Sequence, residues 1–309
     1  MTTVFKIHPG RYLVAVLVYM FFAGVATPLL GQQFSYQHQA VTDLEVLASA
    51  QMTGRGTGTE GNQRARNYII KRLQEIGVKP LGNSYEQPFS ATDRQGKPIK
   101  GINVVGAIQG SGPGYLVVSA HYDHLGKRFG RIFFGADDNA SGVAAMLALA
   151  DYFANNPPVH TLLLVAFDAE EHGLVGARQF VTHCPVPINK VVLNINMDMV
   201  SRSSKQELYA AGTYHYPQLK PLLQTIAGQH PGVKVKFGHD GAPGSGEDWS
   251  TASDHGPFHR KGIPFIYFGV EDHADYHKPT DTFDKINQKF YNDVVRFITH
   301  ATKHIDANL

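Results

Sequence analysis

The sequence predicts an α/β fold: a single-domain three-layer sandwich whose mixed, mostly parallel central sheet is flanked by helices. Three observations carry this expectation. Short apolar runs of strand length alternate with helix-patterned segments along most of the chain. Several runs, such as TLLLVAF (161–167) and VVLNINM (191–197), are apolar at nearly every position, as strands covered on both faces are. The 309 residues, 43% hydrophobic and 17% charged, suffice for one large buried core. No repeat, low-complexity tract or long linker divides them.

Residues 1–31 read as an export signal rather than as part of the fold. Lys6, His8 and Arg11 make a basic start, LVAVLVYMFFAGVA follows Tyr12, and small residues come next. The apolar stretch is shorter than the roughly 20 residues of a spanning helix. Cleavage is expected after Ala26 or Gly31, with an uncleaved N-terminal anchor as the alternative. Either way the body, 32–309, is expected outside the cytoplasm, periplasmic or secreted.

Residues 32–50 form a helical lead-in, and the turn-rich GRGTGTEGNQ opens a helix marked by Ala65, Ile69, Leu73 and Ile76, which Gly77 ends. A hairpin is expected around DRQGKPIKG. Strands follow at INVVGAI, YLVVSA, TLLLVAF, VVLNINM, ELYAAG, VKVKF and PFIYFG. Helical segments lie between them at VAAMLALADYF, GARQFV and PQLKPLLQTIA, and residues 290–304 close the chain as a helix.

The formal net charge of +2, without a Lys/Arg run, points away from nucleic acid and from an anionic membrane surface as partners. Cys184 is the only cysteine, which excludes an internal disulfide and a cysteine-based zinc site. Sixteen histidines are more informative, because imidazole is the commonest protein metal ligand.

Acidic and imidazole groups gather where strands end, the edge at which open α/β sheets bind ligands. His121-Tyr122-Asp123-His124 follows YLVVSA, and Asp168-Ala169-Glu170-Glu171-His172-Gly173 follows TLLLVAF. Asp198 follows VVLNINM, and Asp275-Tyr276-His277-Lys278-Pro279-Thr280-Asp281-Thr282 comes one loop after PFIYFG. Gly135-Ala136-Asp137-Asp138-Asn139-Ala140-Ser141-Gly142 leads into the apolar helix. Each segment alone has an ordinary structural explanation, such as a helix cap or a solvated loop. Together, so many carboxylates at one edge would repel one another unless a multivalent cation joined them. Mixed His/Asp/Glu donors without thiolate fit catalytic zinc.

The series HYDH, GADDNASG, AEEHG, MDM and DYHKPTDT resembles the co-catalytic zinc aminopeptidases, relatives of glutamate carboxypeptidase, the transferrin receptor and the glutaminyl cyclases. The resemblance runs from about Gly54 to the C-terminus. It implies a zinc exopeptidase domain acting on peptides with two zinc ions per chain. By the resemblance, Asp137 would bridge the metals, with His121 and Asp198 on one zinc and Glu171 and His277 on the other. Asp123 would fix the His121 ring, Asp138 would follow the bridge at an unusual cis peptide, and Glu170 would be the general base. Tyr276 would donate to the developing oxyanion. Asp254, in SDHGPF, resembles a pocket-lining position, although a helix start capped by Ser253 explains that segment equally well. His124, His172 and His273 are expected in supporting or solvated roles. Within the same fold, the cyclase branch keeps one working zinc and has tryptophan where Tyr276 stands. A receptor-like relative would lack ligands and base.

Overall fold

The computed structural model describes residues 28–309 apart from Arg94 and Ser245, with side chains described from Tyr36 onward. The chain divides after residue 35, and residues 36–309 form one compact unit. Ahead of that division the described residues, 28–35, are the opening of helix α1 (Pro28–Leu47). The expected export signal therefore lies outside the described residues, save for 28–31. Among the described residues no helix is long and apolar enough to cross a membrane.

The compact unit is built on a nine-stranded sheet. Its strands are β1 (Lys79–Pro80), β2 (Glu86–Thr92), β3 (Pro98–Ile108) and β4 (Tyr115–His121), then, after a separate hairpin of β5 (Lys127–Arg128) and β6 (Arg131–Ile132), β7 (Thr161–Phe167). The sheet continues with β8 (Val191–Met197), β9 (Glu207–Ala211), β10 (Lys234–Lys236) and β11 (Phe265–Gly269). The order is β1-β3-β7-β4-β8-β11-β9-β10, with β2 paired to β3. The central strands β7, β4, β8 and β11 are mutually parallel, while β3 joins β7 and β9 joins β11 in antiparallel fashion. The antiparallel flank on one side is the β2–β3 hairpin around DRQGKPIKG.

Strand alternation sorts the core into the two outer layers. Leu116, Val118, Leu162, Leu164, Leu193 and Ile195 face one side, where they join α2 (Glu60–Ile76), α3 (Gly142–Asn155), α5 (Leu219–Ala227) and α7 (Gln288–Asp306). Val117, Leu163, Val165 and Phe167 face the other, against α4 (Val175–Thr182) and α6 (His255–Arg260) through Phe180 and Phe258. Burying each such side chain stabilises the fold by about 1.5–3 kcal/mol. Both faces being covered is why the strand sequences read as unbroken apolar runs. Helix α2 starts where Thr59 accepts from the Asn62 N–H and ends at Gly77, whose φ of 91° suits glycine.

Ahead of α2, the glycine-rich entry segment carries Arg55 into the interior. The residue is fully buried, and its guanidinium donates to the carbonyls of Leu47, Tyr122, Phe134 and Gly135 at 2.7–2.9 Å and of Asp138 at 3.4 Å. A planar five-donor fork meets carbonyls from three separate segments, a pattern the compact lysine ammonium cannot reproduce. The segment thereby ties the loop before α3 to the end of β4.

Removing the guanidinium leaves buried acceptors unsatisfied, each costing about 1–3 kcal/mol. Arg55→Ala is expected to lower unfolding stability by at least ~3 kcal/mol, and Arg55→Lys to recover only a minor part. Urea unfolding followed by circular dichroism measures this; a loss below ~1 kcal/mol for Arg55→Ala would contradict it.

Candidate active site

The parallel strands deliver their C-terminal loops to one edge. His121 ends β4, Glu170 and Glu171 follow β7, Asp198 follows β8, and Tyr276 and His277 follow β11. All six line one cavity of about 310 Å³, together with Asp138, Met199, Trp249, Tyr267 and Val270 among others. Of the residues expected from sequence, Asp123, Asp137 and Asp254 are fully buried and do not reach the cavity wall.

Asp138, not Asp137, holds the central position. Its Oδ1 lies 3.4 Å from His121 Nε2, and its Oδ2 lies 3.2 Å from His277 Nε2 and 3.6 Å from His124 Nδ1. Asp137 is turned away: Oδ1 accepts from the Ser201 N–H and hydroxyl, both at 2.7 Å, and Oδ2 lies 3.1 Å from His273 Nε2. Two adjacent aspartates in an irregular turn project in different directions, and the motif text alone does not say which one faces inward. The non-proline cis peptide lies between Asp138 and Asn139, one residue later than expected.

The Asp138 loop is secured from three sides. Asp281, buried, accepts from the backbone N–H groups of Asp137 at 3.0 Å and Asp138 at 3.1 Å. Asn139 donates to the Met197 carbonyl and accepts from the Gly142 and Met199 N–H groups, tying the loop to the end of β8 beside Asp198. Arg55 holds the Gly135 and Asp138 carbonyls. At Gly135, φ is 58° and an added Cβ would collide with the Asp138 carbonyl oxygen, so only glycine fits.

Asp123 stands beside the His121 ring, as expected, and also serves the next loop. The His121 Nδ1–H points to the Asp123 backbone carbonyl at 3.1 Å, while the carboxylate stands 3.7 Å away. That carboxylate also accepts from the backbone N–H groups of Glu170 at 3.0 Å and Glu171 at 3.3 Å, fixing the two glutamates. Asp168 fixes the same turn by accepting from Thr57, Asn62 and the Ile102 and Ala169 N–H groups. Burial, with Asp123 nearby, pushes its carboxyl up to about 6.

The two glutamates sit in opposite electrostatic environments. Burial pushes the Glu170 carboxyl well above the usual carboxylate range; His121 opposes this, while Asp254, Asp198 and Glu171 add to it. Burial acts likewise on Glu171, but the rings of His124 and His277 outweigh it and hold that carboxyl far below the usual range. Burial would lower His121, yet Asp198 and Glu170 raise it well above its ordinary value.

The donor atoms fit metal ions. His121, Asp138 and Asp198 offer one group of atoms within 4.8 Å of one another, and His124, Asp138 and Glu171 offer a second. His277 Nε2 stands 3.4 Å from Glu171 Oε2, beside the second group. His124 Nδ1 lies 2.8 Å from Glu171 Oε1, yet out of line with the ring N–H. Both atoms, and Asp138 Oδ2, are buried without a hydrogen-bond partner. Such close, unsatisfied hard donors are what a cation site requires. Asp138 belongs to both groups, so His121, Asp138 and Asp198 would hold one ion, and Asp138, Glu171 and His277 the other, with His124 close at hand. Sequence reasoning undervalued His124 and Asp281 and did not weigh Tyr267, whose hydroxyl donates to the Asp198 carbonyl at 3.3 Å. The DYHKPTDT motif does contain Asp281, and HYDH contains His124, but neither marks direction.

Residues 103–302 match the model of peptidase family M28. Aminopeptidase YwaD of Bacillus subtilis (strain 168) is 29% identical over 254 residues, 74% of this chain and 51% of that protein. The chain spans about half the length of the curated relatives it matches first. Among solved structures, a zinc aminopeptidase from Bacillus subtilis superposes with a TM-score of 0.69 at 18% identity, covering 86% of this chain and 94% of that one. A glutaminyl cyclase from Bacteroides thetaiotaomicron gives 0.72 at 17% identity, covering 88% and 98%. At these identities the likeness is one of fold.

Because only Asp138 belongs to both donor groups, Asp138→Asn is expected to weaken zinc binding on the order of 10²-fold or more, beyond the 10–100-fold of supporting residues. Asp137→Asn is expected to keep metal and to lose stability instead. Elemental analysis after dialysis against graded chelator separates them, and the reverse pattern would restore Asp137 as the bridge.

Proposed function

Since this chain belongs to peptidase family M28, we propose that it is an exported aminopeptidase that removes N-terminal residues from peptides with two zinc ions per chain. The observation that carries this reading is the pair of donor groups sharing Asp138 on the wall of a cavity that Glu170 and Tyr276 also line. When bound, two zinc ions would lower the pKa of a water molecule to about 7 and polarise the peptide carbonyl.

The chain's own residues supply the remaining steps. Glu170, ionised at the start, accepts the proton of the attacking water and returns it to the leaving amine; its burial makes it a stronger base than a free carboxylate. Asp123 keeps Glu170 and Glu171 apart in orientation, so that one faces the reaction and the other the metal group. Tyr276, half-buried and stacked on the His277 ring at 4.0 Å between centroids, donates its hydroxyl to the carbonyl oxygen as charge develops. Burial, with Asp138 adding, pushes that phenol far above its usual range, so it stays a donor at all working pH values. Asp254, fully buried with neither carboxylate oxygen hydrogen-bonded, backs the His121–Asp198 side of the site.

Glu170→Gln keeps shape but cannot take the proton, so kcat should fall by about 10²–10⁴-fold with both metals retained. Glu171→Gln should lose affinity for one metal, with activity partly recovering as zinc is added. Steady-state kinetics on aminoacyl chromogenic substrates, with zinc titration, measures both. The opposite pattern would exchange the two roles. A wild-type enzyme that cyclises N-terminal glutamine peptides, leaves free aminoacyl substrates intact and is fully active with one zinc would replace hydrolysis by the cyclase reading.

Export rests on the basic start and the apolar stretch of residues 1–31. Mass spectrometry of the native protein should find an N-terminus between about residue 27 and residue 33. An intact terminus at Met1 or Thr2 in the membrane fraction would favour an anchor instead.

A further inference from the structure

Beyond the metal groups the same cavity has a second half with its own chemistry. Its floor is apolar: Met199, Tyr267 and Val270 are all buried, and Met199 and Val270 directly follow Asp198 and β11. Trp249 lines it as well, and Glu247 and Asp272 stand exposed on the lining.

Trp249 and Glu247 are held in place by an unusual degree of local packing. The His239 ring stacks parallel on the indole, 3.7 Å between centroids and 6° between planes. Tyr209 meets both rings edge-on at 4.6 and 5.4 Å, and Tyr267 meets the indole edge-on at 5.9 Å. The Trp249 backbone N–H donates to the His239 carbonyl at 2.7 Å. The two nitrogens of the same His239 ring lie 2.8 Å from the Glu247 carbonyl oxygen and 3.0 Å from Glu271 Oε1. One imidazole thus fastens the loop carrying Glu247 and Trp249 to the segment carrying Glu271 and Asp272.

The charges of these two segments are not balanced by cationic side chains. Burial and the nearby Glu247 push the Asp272 carboxyl up, Glu271 adds to this, and only His273 and His277 oppose it. Among the described residues, neither Glu247 nor Asp272 forms an ion pair with a lysine or arginine. The chain as a whole carries a formal net charge of +2, so these carboxylates are not part of a generally acidic chain.

We propose that this half of the cavity selects peptides whose first residue carries a cationic side chain, arginine or lysine. Three or four methylene groups would lie over Met199, Val270 and Tyr267, and the guanidinium or ammonium would reach Glu247 and Asp272 beside the Trp249 ring. A leucine side chain would use the same floor but leave both carboxylates without a partner. An acidic first residue would be repelled. This selectivity rests on the aminopeptidase reading for its orientation, with the first residue inward, but its binding component can be measured without turnover.

The test compares arginyl, lysyl, leucyl and glutamyl p-nitroanilides on the zinc-loaded protein, and in parallel the binding of argininamide and leucinamide by calorimetry. Wild-type kcat/KM is expected to favour arginyl and lysyl over leucyl substrates by about tenfold or more, with glutamyl lowest. The preference should shrink as salt rises, because the carboxylates are exposed. In the Glu247→Gln/Asp272→Asn double variant the arginyl-to-leucyl ratio should fall toward one. A wild-type protein that hydrolyses leucyl substrates as well as arginyl ones would overturn the selectivity and leave the aminopeptidase reading standing. No hydrolysis, but argininamide bound at least tenfold more tightly than leucinamide and only in the wild type, would do the reverse. Neither hydrolysis nor a binding preference would remove both.

Discussion

The active edge of this protein depends on one carboxylate being in two places at once, within reach of His121 on one side and His277 on the other. Asp138 achieves this from a short irregular turn, and a turn keeps such a position only if its own peptide groups are satisfied. The donors on this turn are taken by Asp281 and the acceptors by Arg55, two buried side chains from opposite ends of the chain. Burial lowers the Arg55 guanidinium to about 10, which still leaves it charged at neutral pH, and burial with Asp137 nearby raises the Asp281 carboxyl to about 6. The long-range bonds of these two residues carry the geometry from the fold to the site.

Around that carboxylate the interior is crowded with like charge. Asp138, Asp198, Glu171, Asp254 and Asp123 stand within one region, faced by the imidazoles of His121, His124 and His277. In a low-dielectric interior such a set is stable only with protons or cations shared among its members. The opposite displacements of Glu170 and Glu171 follow from this. Glu171 faces two imidazoles and stays ionised, whereas burial, with carboxylates nearby adding to it, raises the proton affinity of Glu170. Adjacent residues of one type thereby acquire different chemistry, one suited to bind a cation and the other to move a proton.

Much of this was legible in the sequence because strands covered on both faces are written as apolar runs, and their ends as abrupt polar motifs. TLLLVAF followed by Asp168 to Gly173, or VVLNINM followed by Asp198, could be located without coordinates. The β2–β3 hairpin was legible from its turn, and the antiparallel entry of β9 was not, since strand direction depends on connections through space. Within the site, composition could not separate Asp137 from Asp138, because the choice is made by backbone bonds to Asp281, 143 residues away from Asp138. The second task of Asp123 was hidden for a similar reason: beside the His121 ring its carboxylate also takes the backbone N–H groups of the next loop, a contact made only through space. The wall formed by His239, Trp249 and Tyr209 joins three segments that share no sequence pattern.

The most direct measurement is anomalous diffraction at the zinc absorption edge on crystals of the zinc-loaded protein. Two peaks are expected, one against each oxygen of Asp138, the first also touching His121 and Asp198, the second Glu171 and His277. A single peak, or a peak coordinated by Asp137, would contradict the shared-carboxylate centre on which the proposed chemistry depends.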